Sequence, residues 1–309
     1  MVKTEEIVKK IQRLKEKRNA VILAHNYQRP EIQDIADFVG DSLDLSRKAK
    51  ESDAEVIVFC GVYFMAEVAK VLCPEKVVLI PDLGAKCTMA LMLPPEVLKE
   101  AKRKNPEAKV VSYINSTSAI KAESDYICTS SNAIEVVKKV DSRQIIFTPD
   151  VNLAHYIQKE VRDKSIKAVP TYGSCPVHNL LSLKDLKKII EKHKDAEIVA
   201  HPETRPEIQE VADYIASTNG IVKYCKRSKS KKFIICTEEG LIYRLKKEIP
   251  DKEFILASKY MVCSSMKVIT LEKVLMALEK MKYEVKLHAT EIEKIRRAIE
   301  FMINLKNDE

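Results

Sequence analysis

An internal repeat is the feature that most limits how this chain can fold. Residues 25–42 read HNYQRPEIQDIADFVGDS and residues 201–218 read HPETRPEIQEVADYIAST, with eight of eighteen positions identical. The offset is 201 − 25 = 176 residues, and at half of it, 88, a diverged middle copy follows in register. Asp37, Asp125 and Asp213 align across the three copies. A fixed period sets the architecture, and this one is too long for a solenoid unit but suits a small domain.

Each copy alternates between apolar runs and segments with helical periodicity. In the first copy VILAH (21–25) and VIVFC (56–60) are typical of buried strands, while PEIQDIADFV (30–39) has apolar residues at helical spacing. Three strands per copy, each followed by a helix, indicate βαβ units and a parallel sheet. The sequence therefore predicts an α/β fold of three pseudo-threefold-related α/β/α sandwich domains, with parallel sheets around a central site.

The period also predicts domain boundaries. An N-terminal helix at about 4–18 and the first repeat occupy residues 1–104, and the second and third repeats occupy 105–192 and 193–280. Residues 281–309 then form a C-terminal strand and helix extension. In parallel α/β sheets, ligands bind at the carboxyl ends of the strands. The residues that follow each strand, taken three at a time, are therefore the candidates for a site.

Charge and hydropathy narrow the possible partners. The formal net charge is +8, but the basic residues are spread along the chain, and runs such as Lys226–Lys232 are short. This distribution is typical of solvated helix faces, or of a field that attracts small anions. No basic stripe is interleaved with aromatic residues, no apolar run is long enough to span a bilayer, and no signal-peptide pattern begins the chain. We expect a cytoplasmic protein that binds neither nucleic acid nor a membrane.

One column of the repeat is cysteine in all three copies. Cys87, Cys175 and Cys263 are spaced by 175 − 87 = 88 and 263 − 175 = 88 residues. The eight cysteines include no C-x-x-C, which excludes a zinc ribbon, a thioredoxin motif and a ferredoxin run. Three thiolates suit an iron–sulfur cluster with one iron open, or zinc with a fourth ligand such as His178. We favour the cluster because only one repeat offers that histidine; three buried small side chains are the alternative.

Polar residues follow the first strand of every copy in two neighbouring columns. These columns are His25, Tyr113 and His201, and, two residues later, Tyr27, Asn115 and Glu203. Glu203 beside His201 offers a base and a proton carrier, and the tyrosines and asparagine can orient oxygens. Local capping and ordinary core polarity are the alternative. Six such groups from three strand ends favour a site.

A third column carries hydroxyl groups: Ser42, Ser130 and Thr218. Each lies near the start of the next segment, where serine and threonine are commonly plain N-caps. The start of a helix is also an anion site, through its unpaired N–H groups and its dipole. Three such positions together would hold a small molecule with two or three negative charges.

Five segments of the chain form a combined signature. They are AHNYQRPEIQDIADFVGDS (24–42), YINSTS (113–118), ICTS (127–130), CPVH (175–178) and HPE (201–203). Together they resemble the quinolinate synthase family over about residues 20–280. The resemblance implies an enzyme of de novo NAD biosynthesis. It would condense iminoaspartate (iminosuccinate) with dihydroxyacetone phosphate to quinolinate, with loss of phosphate and water, and an aspartate-oxidising enzyme would supply the imine.

The resemblance also implies roles for individual residues. One [4Fe–4S] cluster per chain would be held by Cys87, Cys175 and Cys263, with its open iron acting as a Lewis acid. Substrate contacts would fall on His25, Ser42, Tyr113, Ile114, Asn115, Ser130, His201, Pro202, Glu203 and Thr218. Catalysis would fall on Tyr27, Tyr113, His201 and Glu203, supported by His178. Many members have C-x-x-C-x-x-C at the third ligand where this chain has CSSMK (263–267), so a neighbouring disulfide switch is not expected here.

Three other functions fit parts of the pattern. A cluster-dependent hydro-lyase acting on a hydroxy acid would use the same His201, Glu203 and three-cysteine iron. An iron–sulfur sensor would use the cluster without catalysis, although the sequence shows no appended DNA-binding module. A structural zinc scaffold would use the cysteines alone. A pyridine product would distinguish quinolinate synthase activity from all three of these alternatives.

Overall fold

The computed structural model describes residues 2–305, and side chains from residue 4 onward. Within this range the chain forms two compact units. Unit 1 comprises residues 2–87 and 263–296, and unit 2 comprises residues 88–262 and 297–305. The last four residues of the extension predicted at 281–309 lie outside the described range.

Within residues 2–305, twelve strands form three parallel sheets of four, which confirms the predicted fold class. Unit 1 contains β1 (Ala20–His25), β2 (Phe38–Gly40), β3 (Val56–Cys60) and β4 (Val77–Leu79). Unit 2 contains β5 (Lys109–Tyr113), β6 (Tyr126–Cys128), β7 (Gln144–Thr148), β8 (Ser165–Ala168), β9 (Glu197–Ala200), β10 (Tyr214–Ile215), β11 (Lys232–Cys236) and β12 (Glu253–Leu256). The orders β2-β1-β3-β4, β6-β5-β7-β8 and β10-β9-β11-β12 are the same, so the repeat is structural as well as sequential.

Sixteen α-helices lie within residues 2–305. In the N-terminal part they are α1 (Val2–Lys17), α2 (Pro30–Ile35), α3 (Ser42–Glu51), α4 (Tyr63–Leu72), α5 (Pro95–Lys104), α6 (Ser118–Ala122), α7 (Ala133–Lys139) and α8 (Val151–Glu160). They continue as α9 (Pro176–Asn179), α10 (Leu183–Lys192), α11 (Pro206–Gln209), α12 (Thr218–Arg227), α13 (Gly240–Glu248), α14 (Ser264–Lys267), α15 (Leu271–Lys280) and α16 (Ala289–Asn304). None of the helices in the described range is long and apolar enough to cross a bilayer.

The prediction of three strands per copy was wrong by one strand. The helix expected at 30–39 ends at Ile35, and Phe38–Gly40 pairs with β1 as an edge strand. The cause is Asp37, whose carboxylate accepts from Ile22 N at 2.8 Å while its own N–H donates to Ile22 O at 2.9 Å. Asp125 and Asp213 fix the other two edge strands in the same way.

The last helix of each repeat packs against the sheet of the following copy. Leu98 of α5 lies in one core with Val110 and Ile146 of the second sheet. Leu186 of α10 lies in a core with Ile198 and other residues of the third sheet, and α15 contacts β3 of the first. The boundaries at 104, 192 and 280 therefore stay predictions, since the period does not decide which sheet a helix covers.

Candidate functional site

The turn that follows β9 positions the HPE motif. His201 O accepts from Thr204 N at 3.0 Å and from Thr204 Oγ1 at 2.7 Å, which closes a tight turn. Beneath it, the buried Gln209 amide donates to Pro202 O at 2.9 Å and Thr204 O at 2.8 Å. Glu203 N donates to His201 Nδ1 at 3.3 Å. The turn therefore presents Glu203 from a rigid backbone and fixes His201 with Nδ1 as acceptor.

Glu203 is the centre of a buried polar network in unit 2. Glu203 is only 3% exposed. Tyr113 OH donates to Oε1 at 2.6 Å, and Asn115 Nδ2 approaches the same oxygen at 3.3 Å. His178 Nδ1 lies 2.8 Å from Oε2. Because an ionised carboxylate only accepts hydrogen bonds, this ring of donors matches a charged Glu203.

The ionisation of Glu203 and His201 follows from this environment. Burial alone would raise the pKa of Glu203, but His178, together with hydrogen bonds from His178 and Tyr113, holds it well below its usual range. Burial lowers the pKa of His201 to about 3. His201 is therefore neutral at neutral pH, as its accepting Nδ1 requires. His178 and the hydroxyl donor are accordingly the groups that stabilise the negative carboxylate.

The hydroxyl column is not used for helix capping. The caps are the preceding residues: Asp41 accepts from two N–H groups of α3, and Ser217 accepts from Gly220 N of α12. Ser42 and Thr218 are the first residues of those helices. Ser130 lies just before α7, and its Oγ is 3.1 Å from His201 Nε2. Since Nδ1 of His201 accepts, its Nε2–H donates to Ser130.

Burial separates the cysteines into two groups. Cys87, Cys175 and Cys263 are partly exposed. The other five are buried, namely Cys60, Cys73, Cys128, Cys225 and Cys236. Burial raises the pKa of all five thiols, to about 12 for Cys225. A buried protonated thiol is a poor ligand, so the alternative of small core side chains describes these five and not the threefold column.

Each of the three cysteine-bearing loops is anchored by an equivalent main-chain hydrogen bond. Tyr63 N donates to Ala85 O at 2.7 Å, Val151 N to Gly173 O at 2.8 Å, and Glu239 N to Met261 O at 2.9 Å. Each acceptor lies two residues before a cysteine of the column. The residues therefore fit the implied iron–sulfur group, since accessible thiols are presented by equivalent, anchored loops.

In unit 1, contacts bring two of these cysteine loops near the first-copy turn. Ser265 Oγ donates to Lys86 O at 2.6 Å, which links the second residue after Cys263 to the residue before Cys87. Lys267 Nζ donates to Tyr27 O at 2.7 Å. Tyr27 N in turn donates to His25 Nδ1 at 3.1 Å, and the two rings meet edge to face.

In unit 2, Cys175 lies beside the Glu203 network. His178 Nδ1 is 3.1 Å from Cys175 Sγ, and the ring of His178 stacks on that of His201. Cys175 Sγ, His178 Nδ1 and a Glu203 carboxylate oxygen all lie within 4.8 Å of one another. Ile114 and Pro202, the other predicted contact residues, are buried in the turns after β5 and β9.

Sequence reasoning missed two polar residues of unit 2, Asp150 and Thr237. Both follow the middle apolar run of their copies, a position that the search for threefold columns did not include. The fully buried Asp150 accepts from Leu153 N at 2.8 Å and Cys175 N at 3.2 Å. Burial, and then the charge of Glu203, raise its pKa well above the usual range. Thr237 Oγ1 lies 2.8 Å from His178 Nε2.

The scaffold and the network define a class of protein: an α/β enzyme with a buried, ionised carboxylate suited to proton transfer. Residues 9–304 match the family model described as "NadA: Quinolinate synthetase A protein". The chain is 50% identical over 301 residues to quinolinate synthase of Methanosarcina barkeri, covering 97% of this chain and 98% of the relative. It is 49% identical over 305 residues to quinolinate synthase of Pyrococcus furiosus, covering 99% and 100%. The chain belongs to the quinolinate synthase family, which confirms the resemblance.

Proposed function

We propose that this chain condenses iminoaspartate with dihydroxyacetone phosphate to quinolinate, releasing phosphate and water, as a step of NAD biosynthesis. The observation that carries the proposal is the buried Glu203 carboxylate, ringed by Tyr113, Asn115 and His178 in a chain of this family. Condensation and dehydration both require protons to leave carbon and reach oxygen. A carboxylate that stays ionised at neutral pH meets the first requirement.

The proposed cofactor is one [4Fe–4S] cluster held by Cys87, Cys175 and Cys263, the three partly exposed cysteines. When bound, a cluster with three cysteine ligands supplies an open iron that acts as a Lewis acid on a substrate oxygen or nitrogen. The support is the family membership, the threefold spacing and the equivalent anchoring of the three loops.

Glu203 is proposed to move the protons. Its Oε1 is 2.6 Å from Tyr113 OH, close enough for direct transfer between the carboxylate and the phenol. A proton taken by Glu203 from the CH2 carbon next to the imine carbon can thus be replaced through Tyr113, which donates its own proton to a departing hydroxyl group and takes up the proton from Glu203. Asn115 keeps the carboxylate oriented, and His178 holds its second oxygen. Tyr27, which occupies the position of Glu203 in the first copy, is proposed to orient or protonate leaving oxygens.

The substrates are proposed to bind through hydroxyl groups and helix starts. His201 donates to Ser130, so the Ser130 hydroxyl proton is available for a carboxylate or phosphate oxygen. Ser42 and Thr218 begin the ten-residue helices α3 and α12, whose N-terminal dipoles favour anions. His25, Ile114 and Pro202 complete the proposed contacts.

The decisive test is anaerobic purification with iron and sulfide analysis, followed by incubation with dihydroxyacetone phosphate and freshly generated iminoaspartate. We expect quinolinate, identified by its pyridine absorption and mass. A hydro-lyase would give no pyridine, and a zinc scaffold would contain no sulfide. Iron-replete protein that forms no quinolinate would overturn the proposal.

A further inference from the structure

We propose that Cys175, His178 and Glu203 form a second, mononuclear binding site for a divalent ion of the zinc, ferrous or cobaltous type. The site belongs to the full chain before it receives a cluster. All three residues lie in unit 2, so the proposal requires nothing of Cys87 or Cys263. Thiolate, imidazole and carboxylate are the donor set that such ions prefer.

The three donor atoms already face one another. His178 Nδ1 is 3.1 Å from Cys175 Sγ and 2.8 Å from Glu203 Oε2, and all three atoms lie within 4.8 Å. In a tetrahedral zinc site, bonds of about 2.0–2.3 Å place ligand atoms roughly 3.3–3.7 Å apart. The two contacts of His178 Nδ1 need to open by about half an ångström, and the separation of Cys175 Sγ from the Glu203 carboxylate, at most 4.8 Å, has to fall in the same range for the ion to bind all three.

The hydrogen-bond chemistry of this group also favours a cation. His178 Nδ1 can carry one proton, but two acceptors, a sulfur and a carboxylate oxygen, lie within reach of it. A single proton cannot serve both well. A metal ion in its place would bond to the sulfur, the nitrogen and the oxygen together.

Each donor is also held from behind, as ligands of protein metal sites usually are. His178 Nε2 faces Thr237 Oγ1 at 2.8 Å, which orients the ring with Nδ1 toward Cys175 and Glu203. Tyr113 holds Glu203 Oε1 at 2.6 Å, which leaves Oε2. Asp150 accepts from the backbone N–H of Cys175 at 3.2 Å and fixes its loop. The three protein ligands are therefore preorganised, and a water molecule would complete four-coordination.

Because Cys175 is also a proposed cluster ligand, the ion and the cluster would exclude each other; this consequence alone rests on the proposed function. Metal bound at Cys175 would then slow cluster loading in cells or in purification. The ion would also occupy Oε2 of Glu203.

The test is an anaerobic Co²⁺ titration of the full chain after chelator treatment, in a Cys87→Ser/Cys263→Ser background. We expect one Co²⁺ per chain, with a thiolate-to-cobalt charge-transfer band and the visible spectrum of a four-coordinate ion. Adding Cys175→Ser should abolish the charge-transfer band. Loss of binding in the double serine background, or a band that survives Cys175→Ser, would overturn the proposal. Neither readout depends on quinolinate formation, so failure of the proposed function is seen separately.

Thr237 provides a second, matched test that leaves all three ligands in place. Thr237→Val keeps the side-chain shape but removes the hydroxyl, and should raise the Kd for Co²⁺ about 10- to 100-fold. Thr237→Ser should restore it, and circular dichroism checks that both variants fold. An unchanged Kd in Thr237→Val would contradict the proposed role of Thr237 in orienting His178.

The competition between the ion and the cluster has its own test. Wild-type chain preloaded with Zn²⁺ should incorporate less iron on reconstitution than Thr237→Val treated in the same way. Equal iron uptake by the two proteins would contradict the competition.

Discussion

The turns after β1 and β9 have the same backbone and different chemistry. In each, Nδ1 of the histidine accepts from the N–H two residues later, at 3.1 Å for His25 and 3.3 Å for His201. In each, a buried glutamine amide supports the turn from below, Gln33 in the first copy and Gln209 in the third. The residue that differs is the one displayed, a tyrosine at 27 and a glutamate at 203.

This difference separates the contacts that both copies of the repeat keep from the side chain that differs between them. The contacts that hold the turn are internal to each copy, so both copies keep them. The displayed side chain is constrained only by what surrounds it. At 203 that surrounding includes Tyr113 and His178, which stabilise a negative charge. The two copies thus share the contacts that hold the turn and differ in the chemistry of the side chain that the turn displays.

The largest effect is expected from removing the charge that distinguishes the third copy. Glu203→Gln keeps the shape of the side chain but cannot accept a proton, so the rate of quinolinate formation should fall by about 10²- to 10⁴-fold. Iron and sulfide content should remain at the wild-type level. Glu207→Gln, which changes a partly exposed glutamate of the same repeat 3.8 Å from Arg205, is the matched control. Normal turnover in Glu203→Gln would show that the two turns do not differ in chemistry.

The next largest effect is expected from replacing the glutamine that supports each turn. Gln209 Nε2 lies within 3.2 Å of three carbonyl oxygens, those of Asn152, Pro202 and Thr204. Gln209→Leu should therefore lower the free energy of unfolding by about 1–3 kcal/mol, since buried acceptors lose their donor. Urea denaturation measures this cost.

The first-copy counterpart is the control for that measurement. Gln33 Nε2 reaches two carbonyl oxygens, of Asn26 and Gln28. Because both amides donate to carbonyl oxygens of their own turns, Gln33→Leu should have a similar cost of about 1–3 kcal/mol. A cost in one copy alone would mean that the other turn is held by something other than its glutamine.

The period of 88 residues predicted a great deal of this structure. Three equivalent sheets, the Asp37 column and the accessible cysteine column all follow from it, because the same local contact recurs in every copy. A lysine column behaves likewise: Lys76, Lys164 and Lys252 each donate to a carbonyl at the end of a preceding helix. Contacts repeated three times leave a pattern that a sequence can reveal.

What the sequence did not predict lies where the copies differ. Asp150 aligns with Val62 and Glu238, so no column draws attention to it. Its importance comes from meeting Cys175 N, a contact made across the fold. The edge strands were missed for another reason. They span two or three residues, and the helical periodicity of the flanking segment continues through them.

The pH dependence of the free energy of unfolding is expected to report the protonation of His201. Its pKa is 6.5 in the unfolded chain and about 3 in the fold, so between these values the unfolded state binds more protons. Stability is therefore lost as pH falls below 6.5, by about 1.4 kcal/mol per pH unit. His201→Gln should show about 2 kcal/mol less loss between pH 6.5 and 5.

Urea denaturation of the wild-type chain and of His201→Gln between pH 7 and pH 5 includes its own control. The difference at pH 7 gives the packing cost of the substitution, and the change of that difference with pH isolates the proton. Above pH 5 the lowered pKa of Glu203 adds little, because its stabilisation is lost only as pH falls below its unfolded value. Parallel pH profiles would mean that His201 is not buried in its neutral form.

The smallest effect is expected at the aspartates that fix the edge strands. Asp213→Ala removes the acceptor of Ile198 N, 2.7 Å away, and should cost about 1 kcal/mol because the site is partly exposed. Asp37→Ala should cost up to about 0.5 kcal/mol more, since Asp37 also pairs with Lys15 at 2.6 Å. Asp213→Asn keeps an acceptor oxygen and is the control. If Asp213→Ala were neutral in urea denaturation, the shared column would reflect ancestry alone, and edge-strand pairing would have to be held by the backbone hydrogen bonds.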